Sequence, residues 1–257
     1  LFNEVDMACV QRDIAIPWIT GAAAVLRRLD QDHRLSSVSW AGNDWEQVFD
    51  RADLDLVQLR GYVLEWVEGD EQARLRGRDA VALLIEQAER AVLRVRPFVF
   101  GEVGYQGQEH DNRGNDLDGE GLLLRQQAWA GFLLGGCGSS MNWWWDVHID
   151  HRSLWEQYRG LAVAVKRIDW RDGTLTPLTP NPTGILRVIG WVSPSQALLW
   201  PQIRRDTWYN HLVERRQRPV LPQPTKVVIS GFAPDCRFHA AWLDQISGVE
   251  KGNEELI

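Results

Sequence analysis

The sequence predicts an α/β protein: a parallel sheet with helices outside it over residues 1–173, then a small antiparallel β domain over residues 185–257. Three observations carry this. Strand-like and helix-like stretches alternate up to about residue 168. A Pro- and Thr-rich segment, TLTPLTPNPTG at 174–184, then predicts a linker between two domains. Beyond it come short β-like runs with no convincing helical period, which predict a small antiparallel sandwich.

The elements follow in order. LFNEV reads as the end of a strand, and because nothing leads into it and no initiator Met precedes it, the chain is expected to be part of a longer one. ITGAAAVLRRL (19–29) predicts a helix, LSSVSW (35–40) a strand, and the stretch 44–51 a short helix. LDLVQLRGY (54–62) predicts the next strand. From Arg78 to Val95 strong helix formers recur at helical period until Pro97 ends the run. FVFGEVGY (98–105) predicts a strand, and Gln106 to Gly119 a polar, Gly- and Asp-rich loop. GLLLRQQAWAGFLL predicts a helix closed by Gly135-Gly136, CGSSMNWWWD a last strand and SLWEQYRGLAVAVKRI a last helix. The tail contributes ILRVIGWVS, QALLWPQI, TKVVISGF and FHAAWLDQISG.

Bulk properties narrow the function. A net charge of -7 leaves no basic footprint for nucleic acid. No run approaches the roughly 18 apolar residues that a membrane helix needs. The three cysteines, Cys9, Cys137 and Cys236, are far apart and without metal-type spacing, so buried thiols are expected. The unusual count is 14 Trp. An indole fills a core, but its flat face also stacks on sugar rings. Trp143-Trp144-Trp145 at a strand end is the cluster that points most strongly to a ligand; the pairs Trp40 with Trp45 and Trp200 with Trp208 are also clustered.

In a parallel barrel, catalytic groups project from the C-terminal strand ends. Glu4 and Asp6 end one expected strand; Glu102 ends another, 98 residues after Glu4. Two carboxylates at one face of a sheet are what glycoside hydrolysis needs: one gives a proton to the leaving oxygen, the other attacks the anomeric carbon or activates water. The alternative for each is a solvated loop Glu, or a partner for a nearby Arg. Asn3 beside Glu4, and Gly101 and Gly104 around Glu102, favour the catalytic reading, since the glycines imply a close backbone approach. Tyr62 is placed to hydrogen-bond a nucleophilic carboxylate, or is a plain half-buried Tyr. His110, His148 and His151 have no partner at metal spacing and read as polar lining or surface.

FNEVD, RPFVFGEVGY and WAGFLLGGCGSSMNWWWDVHID resemble the clan of retaining glycoside hydrolases that includes family 5. The resemblance covers residues 1 to about 170 and implies a (β/α)8 TIM barrel, of which this chain would supply only the C-terminal part, about strands 4 to 8, followed by a small β-sandwich. It implies that Glu4 is the acid/base, Asn3 the residue holding the sugar 2-hydroxyl, and Glu102 the nucleophile. One of Trp143, Trp144 and Trp145 would floor the cleavage subsite; alternation along a strand puts Trp143 and Trp145 on one face and Trp144 on the other. Where the clan often has His-x-Tyr, this chain has Arg60-Gly61-Tyr62. Tyr62 is then expected to orient Glu102. An inward Arg60 is expected to favour a charged carboxylate nearby, or to bind an acidic sugar.

The resemblance implies hydrolysis of β-glycosidic bonds by double displacement, with an oligo- or polysaccharide as substrate, no metal and no organic cofactor. Secretion or a periplasmic location follows from that substrate class alone, and the separate piece is expected to be poorly soluble or weakly active. Two alternatives stay open. One is a non-catalytic carbohydrate-binding protein with a Trp-rich cleft. The other makes the C-terminal sandwich a binding module.

Overall fold

The centre of the molecule is a parallel pair, β1 (Val57–Leu64) and β2 (Phe98–Gln106). The computed structural model describes residues 3–8, 11–42, 44–51, 53–64, 78–93, 96–106, 113–178, 180, 184–221, 225–233 and 236–256. Val57, Leu59 and Val63 alternate along β1 and are buried, with Gly61 between them. That face lies under α4 (Ala80–Val92), so closely that a Cβ on Gly61 would come within 2.2 Å of Leu84 Cδ2. Phe98, Phe100, Val103 and Tyr105 form the buried face of β2, packed against α6 (Leu122–Leu133). Burying each such side chain contributes on the order of 1.5–3 kcal/mol.

The sheet continues on both sides as extended chain. Residues 137–143 run parallel to β2: Met141 N–H donates to the Phe100 carbonyl (3.0 Å), Val103 N–H to that of Met141 (2.9 Å) and Trp143 N–H to that of Val103 (2.9 Å). On the β1 side, Asp55 N–H and Leu56 N–H donate to Ser36 O, and Glu4 N–H to Ser39 O at 3.1 Å. Residues 35–40 thus lie beside β1 without forming a regular ladder. The segment expected to end a strand at Glu4 turns instead into a helical turn, α1 (Val5–Ala8); residues 1 and 2 lie outside the described ones. Among the described residues no sheet closes into a barrel.

The helices expected from the periodicity are present, with shifted ends. Helix α2 (Arg12–Leu29) starts earlier and includes Pro17, and α3 (Glu46–Phe49) is a single turn. The stretch expected to be loop from Gln106 to Gly119 holds a further turn of helix, α5 (Arg113–Leu117). Asp79 caps α4, accepting from Ala82 N–H. The last helix splits into a 3₁₀ turn, Leu154–Tyr158, and α7 (Arg159–Val165).

The C-terminal part has two antiparallel sheets: β3 (Thr176–Pro177), β4 (Leu186–Val192) and β5 (Ala197–Ile203), then the hairpin β6 (Phe238–Leu243) and β7 (Glu250–Leu256). Thr176 and Pro177, inside the expected linker, pair with β4. Ile189 and Trp200 join the same buried cluster as Leu59, Leu84 and Phe100, and the Trp129 and Trp200 rings lie 6.0 Å apart. Where a sandwich is expected to set the two sheets face to face, the three-stranded sheet lies on α6, and the β6–β7 turn lies on α7, with Gly160 against the Gln245 carbonyl. TKVVISGF is not a strand: residues 225–232 carry no ladder, and Val228 is exposed. The expected absence of helix after 185 is corrected by a π-helical turn at Tyr209–Val213. No described helix is long and apolar enough to cross a membrane.

Candidate active site

Strand alternation alone would put Glu102 on the wrong face. Phe98 and Phe100 point toward the helices, so an unbroken ladder would send Glu102 the same way. The ladder breaks first: Leu59 pairs with Phe100 but Arg60 pairs with Glu102, which leaves Gly101 as an extra, unpaired residue. This β-bulge turns Glu102 to the open face, beside Arg60 and Tyr62. Beyond it Val103 and Tyr105 return to the buried face. Glycine suits the bulge because a Cβ there would come within 2.7 Å of the Gln58 side chain.

Glu102 is then held at both oxygens. Oε1 accepts from Arg60 Nη2 at 2.9 Å, and Oε2 from the Tyr62 hydroxyl at 2.8 Å. The other terminal nitrogen of Arg60, Nη1, pairs with Glu4 Oε1 at 2.5 Å. One guanidinium therefore joins the two carboxylates that the sequence singles out. Arg60 Nη2 also donates to Ser39 Oγ at 3.0 Å. Asn3, which precedes Glu4 in the chain, is exposed.

Glu4 reaches Arg60 by an uncommon backbone route. Its φ is +51°, the left-handed region, which costs a non-glycine residue on the order of 1 kcal/mol or more. Asp6, expected at the same strand end, does not join the site: it accepts from Ala41 N–H (2.9 Å) and Gly42 N–H (2.7 Å) and anchors α1 to the turn after residue 40.

Electrostatics follow from burial and these contacts. Burial pushes the Glu102 carboxyl above the ordinary glutamate value; Tyr62 and Arg60 oppose the shift, and the neighbouring Glu4 charge adds to it. Burial, then the Glu102 charge, raises the Tyr62 hydroxyl, which stays protonated as a donor.

The clustered tryptophans differ in burial. Trp40, Trp45, Trp200 and Trp208 are buried in the core. Trp143 and Trp145 are exposed, at 48% and 56%. Asn142 pairs with Val103 and shares its buried face, so Trp143, one residue on, emerges on the face that carries Glu102. The strand expected through Asp146 stops at this point. Asn142 Oδ1 accepts from Trp144 N–H (2.9 Å), and a π-helical turn, Trp145–Asp150, begins. Trp144 is half-buried, its indole N–H donating to the Tyr105 carbonyl at 2.6 Å. Gly104, at φ +140°, leaves room for that ring, since a Cβ would lie 3.1 Å from Trp144 Cδ1.

Two residues of the site are missing from the sequence reading. Ser39 touches Arg60 through its hydroxyl and Glu4 through its carbonyl, and the alternation of Ser37 and Ser39 with buried Val38 and Trp40 was the available signal. Asn142 ends the strand, as an Asn ahead of a change in backbone direction often does. Of the histidines read as lining, His148 is buried, with its pKa lowered to about 4 by burial and then by Arg152. His151 is exposed, and His110 lies outside the described residues. Cys137 and Cys236, expected as buried thiols, are exposed and free; Cys9 lies outside the described residues. Among the described residues no three His, Cys, Asp or Glu side chains group as metal ligands.

No family model, curated protein or solved structure matches the chain.

Proposed function

We propose that this protein is a retaining glycoside hydrolase of the (β/α)8-barrel kind, secreted or periplasmic, that cleaves β-glycosidic bonds in an oligo- or polysaccharide. The observation that supports it best is the convergence of Glu4 and Glu102, far apart in sequence, on one guanidinium, with the Tyr62 hydroxyl on the second oxygen of Glu102. Double displacement needs the two carboxyls about 5–5.5 Å apart, and one guanidinium reaching both supports a close pair.

The contacts support one assignment of roles. Glu102, on a rigid strand and gripped at both oxygens, is the nucleophile. It attacks the anomeric carbon, the bond to the glycosidic oxygen breaks with its electron pair leaving on that oxygen, and Glu4 supplies the proton. Glu4 then takes a proton from water, which attacks the same carbon and displaces Glu102. Trp143, on the same face, offers an apolar surface to the sugar ring. No step calls on a metal or an organic cofactor.

Trapping tests this reading. A 2-deoxy-2-fluoro β-glycoside with an activated leaving group should leave one sugar on Glu102, read by mass spectrometry of its peptide. Labelling elsewhere, or none across gluco, galacto, manno and xylo forms, would sink the assignment.

The Arg60 clasp also supports a second reading, a carbohydrate-binding protein, since both carboxylates are already occupied by a cation. Glu102→Gln separates the two: turnover disappears in the enzyme, whereas a binder keeps its sugar affinity.

A further inference from the structure

We propose that Arg60 is a positioning residue that closes the site at rest: its guanidinium fills the gap between Glu4 and Glu102 and swings off Glu4, staying on Glu102, when a sugar enters. This rests on the reading of Glu4 and Glu102 as a glycosidase pair. In such a pair the scissile bond lies between the two carboxyls, and positive charge develops there. The protein already has a cation in that place. While Arg60 Nη1 sits against Glu4 Oε1, a glycosidic oxygen cannot take that place, so this contact has to open before the first chemical step.

The contacts show which half gives way. Glu102 has its second oxygen on Tyr62, sits on a paired strand, and exposes only 12% of its side chain. Glu4 exposes 34% and is held on Arg60 from a strained backbone at the edge of the sheet. Arg60 itself has slack: its Nε is buried without a hydrogen-bond partner among the described residues, so a rotation of the guanidinium gives up no contact there. Its hydrogen bonds to Ser39 and Glu102 are both on Nη2 and can survive the loss of the Nη1 contact.

A cationic sugar mimic and Arg60 would compete for the same two carboxylates, whereas a neutral mimic would not. The test is calorimetric binding of a cationic iminosugar and of the matching neutral lactam to the wild-type protein and to Arg60→Met. The expected result is a gain of about tenfold or more for the iminosugar in Arg60→Met, with the lactam changed far less; tenfold corresponds to roughly 1.4 kcal/mol. Equal changes for both ligands, or a loss for the iminosugar, would overturn the clasp while leaving the glycosidase reading intact. Failure of both ligands to bind either protein would overturn the glycosidase reading, and the clasp with it. If Arg60→Met does not fold, Arg60→Gln carries the same comparison, because an amide keeps a hydrogen-bond donor for Glu102 but removes the charge.

Discussion

Arg60 stands across from Glu102 because Gly101 stands across from nothing. The one-residue offset between Leu59 and Arg60 decides which face of the sheet receives the carboxylate, and the Arg60–Glu102 ion pair and the Tyr62 hydrogen bond both depend on it.

Giving Gly101 a partner, by inserting one residue between Leu59 and Arg60, should therefore do far more harm than enlarging it. With the ladder unbroken Glu102 falls on the apolar, helix-covered face, so the insertion is expected to lose sugar binding and to lower stability by several kcal/mol. Gly101→Ala meets mainly the flexible end of Gln58 and should cost about 1 kcal/mol or less. Thermal unfolding and a binding titration on both variants check this; equal effects would mean that the bulge does not matter.

Glu4→Gln should have an effect that depends on the leaving group. With an alkyl β-glycoside, which needs a proton on departure, the rate is expected to fall by roughly 10²–10⁴-fold. With 2,4-dinitrophenyl β-glycosides the first step needs no such proton and should be largely kept. A uniform loss across the series would remove Glu4 from the acid role.

The pH profile carries a sign. Glu102 attacks only as the carboxylate, and burial holds its carboxyl above the ordinary glutamate value. The acid limb of kcat/KM is expected above that ordinary value, with activity falling as pH drops through it. Tyr62 favours the charged form, so Tyr62→Phe should move the limb to higher pH. The same burial makes ionisation harder in the folded chain than in the unfolded one. Stability is therefore expected to fall as pH rises from the ordinary value to the raised one, and Glu102→Gln should remove that slope.

Far from the site, Arg187 ties the C-terminal sheet to α4. It is fully buried and donates to both oxygens of Asp79, at 2.9 and 2.6 Å, and to Gln202. Asp79→Ala strips the buried guanidinium of its counter-charge and α4 of its cap, a loss of about 3–5 kcal/mol. Denaturant unfolding measures it, and a loss below 1 kcal/mol would show that the pair is not structural.

Much of this was legible in the residues themselves. Alternation in VQLRGYVL and FVFGEV, and helical period in AVALLIEQAERAV, mark elements that differ from the observed ones only at their ends, because burial of one face sets both pattern and structure. Glu4, Arg60, Tyr62 and Glu102 were each visible as polar groups near strand ends. What joins them was not. A bulge at Gly101 leaves almost no trace in local sequence, since it is defined by the partner strand that the residue fails to pair with. The left-handed turn at Glu4 is held by Ser39 and by an ion pair across 56 residues, not by local preference. TKVVISGF has every local mark of a strand and joins no sheet among the described residues. Side-chain chemistry and periodicity are local and can be read in order along the chain; register, face and ion pairing are relations between distant segments, and only the tertiary structure decides them.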